Sequence, residues 1–280
     1  MDEVVTATSG RFLPSPPDDL NVLVKRTRWN TFRLIHRVHH RQYAGNAFNP
    51  GIKGNARFSP IKTSAGHPIP TLYGGTTVEC AAMETVFHDV PYAPGLKTYE
   101  KPKLETQRHT VLAPRRDLIL ADLSNVPLRK LGIERSQLID TEADCYPYTR
   151  SWGAALHDQC PDIDGLCWVS RQHDRKLALI IFGDRARVED LTHLDGPTHL
   201  TGDLNLYSLI LSLALELGVN LVERPLSNGP GLDWRVRVRR SSGSTHSPPS
   251  CDCSAKARSR YDFPSSHPHA EAVEFVSANA

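Results

Sequence analysis

The run Leu177-Ala178-Leu179-Ile180-Ile181-Phe182 most restricts how this chain can fold. Six apolar residues in succession read as a buried strand, and a buried strand needs other layers packed on it. Further strands are expected over residues 117–123 and 165–170. Another is expected over 31–38, where Phe32, Leu34, His36 and Val38 share one face. Helical spacing is found over residues 128–139, 148–157 and 203–217. Strands interspersed with helices, without strict alternation, specify an α+β domain: a mixed sheet with flanking helices. A chain of 280 residues is long enough for one substantial core.

The clearest helix is expected over residues 76–90. Thr76 and Glu79 have capping-box spacing, in which the hydroxyl and the carboxylate each satisfy a free backbone N–H. Val78, Ala82, Met83, Val86 and Phe87 recur at helical spacing and should face the core. Cys80, Glu84 and His88 lie four apart on another face. Their span of about 12 Å, at 1.5 Å per residue, is too long for one metal ion or for a Cys–His nucleophile pair. Glu79 has a sufficient role as a cap, whereas Glu84 is off the apolar face with no Lys or Arg four residues away. Before this helix lies a loop over residues 45–70, punctuated by Asn49-Pro50-Gly51, Gly54 and Gly66.

Composition excludes more than it identifies. A formal net charge of +2 is too small to argue for a nucleic-acid or membrane partner. No stretch approaches 18 consecutive apolar residues, and Met1-Asp2-Glu3 opens no signal-peptide core. The six cysteines are scattered and lack the paired spacing of a zinc site or a disulfide framework, so reduced thiols in the cytoplasm are expected. His39-His40, Cys251-Asp252-Cys253 and His267-Pro268-His269 are weak metal signals, and no metal is expected. Residues 1–26 read as a flexible leader, 27–232 as the folded domain, and 233–280 as a Ser-, Arg-, Pro- and His-rich tail. The tail has too few apolar residues to offset its ordering entropy, so disorder is expected there.

Several segments acquire meaning from their order. They are Arg57-Phe58-Ser59-Pro60-Ile61, then Ile69-Pro70-Thr71-Leu72-Tyr73-Gly74-Gly75, then the helix carrying Glu84. Together they resemble the RES-domain family, named for its Arg, Glu and Ser. Its pattern is an Arg in a short aromatic-containing loop, a strand ending in Tyr, and a Glu eleven residues after that Tyr, as Tyr73 and Glu84 stand here. The family's upstream Arg matches Arg37, and its Ser, which follows a short Asp-Gly strand, matches Ser170 after Asp164-Gly165. The resemblance spans residues 33–183 and, more loosely, continues to about 225. It departs at Lys62-Thr63-Ser64-Ala65-Gly66-His67-Pro68, a longer loop than in small members. The last 45 or so residues match nothing in the family.

The resemblance implies a fold similar to ADP-ribosylating toxins, and a toxin of a toxin–antitoxin pair that degrades NAD, with an antitoxin protein as partner. It implies phosphorolysis by inorganic phosphate to nicotinamide and ADP-ribose-1″-phosphate, with ADP-ribosyl transfer to protein as the alternative. A non-catalytic nucleotide-binding module is the reading from a different class. In the enzyme reading, Arg37 and Arg57 bind pyrophosphate or phosphate through their planar forks. Tyr73 packs against nicotinamide or its ribose, Glu84 stabilises an oxocarbenium-like ribosyl cation, and Ser170 fixes the ribose or the amide.

Overall fold

The structure, a computed structural model, describes residues 13–223. The expected tail over 233–280 and residues 1–12 of the expected leader lie outside the described residues. The strands are β1 (Arg26–Trp29), β2 (Ile35–His40), β3 (Ile61–Lys62), β4 (Pro68–Ile69), β5 (Thr71–Gly75), β6 (Lys97–Glu100), β7 (Gln107–Pro114), β8 (Leu118–Asp122), β9 (Gly165–Val169), β10 (Leu177–Phe182), β11 (Leu191–His199) and β12 (Val219–Val222). The helices are α1 (Leu20–Leu23), α2 (Val78–Met83), α3 (Lys101–Glu105), α4 (Asn125–Lys130), α5 (Arg135–Leu138), α6 (Tyr146–Gln159) and α7 (Leu204–Glu216).

Eight strands form one sheet in the order β1-β8-β9-β10-β5-β2-β7-β11. Only β8 and β9 run parallel; the other neighbours are antiparallel. The fold is therefore α+β, a mixed sheet with flanking helices. The six-residue apolar run is β10, fourth of the eight. Ala178, Ile180 and Phe182 enter one core with α6, while Leu179 and Ile181 enter another. A strand buried on both faces has no place for a polar residue, which is why the run is unbroken. The second of these cores draws residues from all eight strands and from no helix, so the sheet curls around its own side chains. A third core packs α2 and α7 together. At the β9 start only glycine fits: a Cβ on Gly165 would lie 2.0 Å from the Ile180 carbonyl oxygen.

Several elements differ from expectation. The strand expected over 31–38 begins at Ile35, because Trp29 Nε1 donates to the Arg33 carbonyl (2.7 Å) and Arg33 N–H to that of Asn30 (3.0 Å), forming a turn. Phe32 is left exposed on it. The helix expected over 128–139 is two, α4 and α5, parted at Gly132, whose φ of 70° is left-handed. Residues 13–26, read as leader, pack on the domain: Leu20 is fully buried, and the Pro14 and Pro17 carbonyls accept from Trp152 and Gln159 of α6 (both 2.8 Å). Among the described residues no helix is long and apolar enough to cross a membrane.

Candidate active site

Strands β2 and β5 share a single backbone pair, His36 opposite Gly75. Beyond it they part, and the opening is a cleft of about 600 Å³. Arg37 to His40 line one lip, and Thr71 and Tyr73 the other. The loop bearing Arg57 and the turn that follows α2, bearing Glu84 and His88, close it, with Trp168 of β9 at its inner wall. Four of the five residues singled out from the sequence, Arg37, Arg57, Tyr73 and Glu84, thus come together on one surface.

Glu84 owes its position to where α2 stops. The helix expected over 76–90 spans only Val78–Met83, and Glu84 is its C-cap. Cys80, Glu84 and His88 therefore do not form a continuous helical stripe. Cys80 is fully buried, and burial pushes its thiol up to about 12. Among the described residues no group of three His, Cys, Asp or Glu could hold a metal ion. The cap also sits one residue later than expected: Thr77, not Thr76, accepts the Cys80 N–H (3.3 Å). The Thr76 hydroxyl is engaged by β10 instead, accepting the Leu177 N–H (3.1 Å). Burial would lift the Glu79 carboxyl, but hydrogen bonds from its own N–H and the Thr77 hydroxyl hold it below the usual carboxylate range.

Ser170 is fully buried and does not line the cleft. The serine expected to fix the ribose or the amide stands behind the carboxylate. Its hydroxyl donates to Glu84 Oε1 (2.6 Å) and accepts the N–H groups of Gln172 (3.1 Å) and His173 (3.0 Å). Those two N–H bonds orient the hydroxyl proton toward Glu84, because the oxygen's lone pairs are already occupied.

The two arginines are buried cations. Arg57 is 5% exposed; one guanidinium nitrogen donates to the Thr141 hydroxyl (2.5 Å), and the group lies 5.3 Å from the Tyr146 ring centroid. Burial lowers its pKa, opposed by the charges of Tyr146 and Glu84. Arg37 donates to the carbonyls of Gly45 and Ala47 (both 2.6 Å), and burial lowers its pKa to about 10, so it stays charged at neutral pH. Neither has a carboxylate ion-pair partner within salt-bridge distance among the described residues. From beyond salt-bridge distance Glu84 offsets part of the desolvation of Arg57, and a bound anion would offset more, for Arg57 and Arg37 alike.

Tyr73 accepts the Phe58 N–H at its hydroxyl (3.0 Å), tying β5 to the Arg57 loop. Burial pushes its pKa to about 12, so it stays protonated and offers the cleft a ring and a fixed dipole. Two cleft neighbours were not anticipated from the sequence as site residues. Trp168 packs edge-on against Phe58 and Tyr73 (centroids 5.2 and 6.3 Å). Tyr146 meets His88 Nε2 with its hydroxyl (2.9 Å). Trp168 lies two residues before Ser170, which directly follows β9, and that spacing is the one local signal that could have found it.

No curated protein matches the chain. Among solved structures it is similar to the crystal structure of the M. tuberculosis MbcT–MbcA toxin–antitoxin complex, at 13% identity and a TM-score of 0.42, over 61% of this chain and 84% of that one. The family model of the RES domain matches residues 34–201, more than half of the sequence. That span holds the cleft, the carboxylate and both arginines, and the chain belongs to the RES-domain family.

Proposed function

We propose that this chain cleaves the nicotinamide–ribose bond of NAD, with Glu84 as the carboxylate that stabilises the ribosyl cation. One observation carries the reading. An acid held by a buried serine (2.6 Å) shares a cleft with two buried guanidiniums that have no carboxylate ion-pair partner. The cleft's size falls within the range of small-molecule sites. Expelling neutral nicotinamide leaves positive charge on the ribose, so a fixed carboxylate favours the transition state over the ground state. Arg37 and Arg57 suit a pyrophosphate, and Tyr73 gives its ring to the nicotinamide riboside. Ser170 acts through Glu84, as a positioning residue. No step needs a metal.

Inorganic phosphate is the nucleophile in this reading, giving nicotinamide and ADP-ribose-1″-phosphate. The surplus of basic over acidic side chains at the cleft favours it: Arg37, Arg57 and Lys53 against Glu84 and Asp89. The resemblance to toxins of toxin–antitoxin pairs extends the proposal to a cognate antitoxin protein as partner and to action in the cytoplasm. Incubation of the purified chain with NAD, with and without phosphate, tests the reaction. Nicotinamide should appear only with phosphate, and Glu84→Gln should lower kcat by roughly 10²–10³-fold. Release without phosphate assigns the attack to water, and label kept on protein assigns it to transfer. NAD left intact in every condition overturns the enzyme reading.

A further inference from the structure

The cleft grades from a buried inner end, where Trp168 is 1% exposed, to a mouth where Tyr43 is 54% and Ile52 68% exposed. Single exposed apolar residues are ordinary, but these two line one cleft and sit on loops held by buried anchors. The Tyr43 loop is tied down by Arg37, whose guanidinium takes the Gly45 and Ala47 carbonyls. At Gly45 a Cβ would lie 2.4 Å from the Thr110 side chain, so the loop packs there with no room to spare. The His40 ring meets that of Tyr43 edge-on, with centroids 6.4 Å apart.

The Ile52 loop is fixed as firmly. Asn49 exchanges both backbone hydrogen bonds with Thr71 (2.8 Å each), and its side-chain oxygen accepts the Gly51 N–H (3.0 Å). Gly51 has a φ of 74°, and a Cβ there would meet the Ile69 carbonyl oxygen at 2.5 Å. Lys53 follows, without an ion pair among the described residues, and also lines the mouth. The mouth thus offers a flat aromatic face, a branched aliphatic side chain and a cation, all on anchored backbone.

We infer that Tyr43 and Ile52 form the base-binding end of the cleft, where the adenine ring of NAD packs; this rests on the proposed NAD reading. A purine presents two apolar faces, and stacking on an aromatic side chain holds it without reading its edge. With the ribosyl bond at Glu84 and the pyrophosphate on the arginines, the base is the part of the dinucleotide left for the mouth. Tyr43 and Ile52 then set preference for the dinucleotide over nicotinamide mononucleotide, which has no base to place there.

The test compares kcat/KM for nicotinamide release from NAD and from nicotinamide mononucleotide, in the wild-type chain, Tyr43→Ala and Ile52→Ala. Both side chains are exposed, so folding should be unaffected, and equal melting temperatures check this. The wild type should favour NAD. Tyr43→Ala should lose roughly tenfold on NAD, as expected for one lost base–aromatic stack, and nothing on the mononucleotide. Ile52→Ala should show a smaller loss of the same kind. Equal losses on both substrates, no loss on NAD, or a wild type indifferent to the base overturns the inference while leaving the NAD reading intact. A wild type that releases nicotinamide from neither overturns the NAD reading, and the inference with it.

Discussion

Ser170 accepts two backbone N–H bonds and spends its one proton on Glu84, so removing the hydroxyl does two separable things. Ser170→Ala frees Glu84 to rotate and leaves the N–H groups of Gln172 and His173 without their acceptor. In the proposed reaction kcat should fall by roughly tenfold, the scale of one lost hydrogen bond to a charged group, while KM for NAD holds. Stability should drop by about 1–2 kcal/mol for the unsatisfied donors. A KM that rises with kcat unchanged would show that Ser170 touches substrate after all. From the sequence, Glu84 and Ser170 were legible as members of one site through their order in the family pattern. Their mutual contact was not, because it spans 86 residues and no local periodicity encodes it.

At the scale of elements, α2 shows how far local rules reach. Thr76 and Thr77 offer two adjacent cap registers, and sequence spacing alone favours Thr76 with Glu79. The structure chooses Thr77 because β10 takes the Thr76 hydroxyl. Thr77→Ala should therefore cost about 1 kcal/mol, read as a fall of a few degrees in Tm by thermal unfolding. It should also lower kcat, since the same short helix carries Glu84. An unchanged Tm would return the cap to Thr76. The apolar strand β10 was readable in full because both of its faces are buried, which leaves a mark on every residue. Strand β2 was misplaced by several residues, since its inward positions include Arg37 and His39 as well as Ile35. A strand lining a polar cleft does not show the apolar alternation that marks others.

Across the whole molecule, the pairing of β2 with β7 buries His39 and His109. Burial, with Arg37 nearby, pushes His39 down to about 4; burial, with His36 nearby, does the same to His109. The His36 and His109 rings stack at 5.2 Å and share a hydrogen bond (3.0 Å). In the unfolded chain these imidazoles take a proton near pH 6.5, whereas the folded chain resists it to about 4. Protonation thus favours unfolding, and stability present above pH 6.5 should be lost as pH falls toward 4. Thermal unfolding at pH 7, 5.5 and 4.5 should give a steeper fall for the wild type than for His109→Gln. Parallel falls would place the acid sensitivity elsewhere.

By itself the sequence determined the α+β class, the central strand, and a family pattern that names Arg37, Arg57, Tyr73, Glu84 and Ser170. These are properties carried by local spacing and residue order. Only the tertiary structure decided that β2 and β5 part after one pair to open the cleft. It alone placed Ser170 behind Glu84, and buried two arginines without a carboxylate ion-pair partner. Each of those facts depends on strands far apart in sequence meeting across a curled sheet, and on burial, which local spacing does not encode.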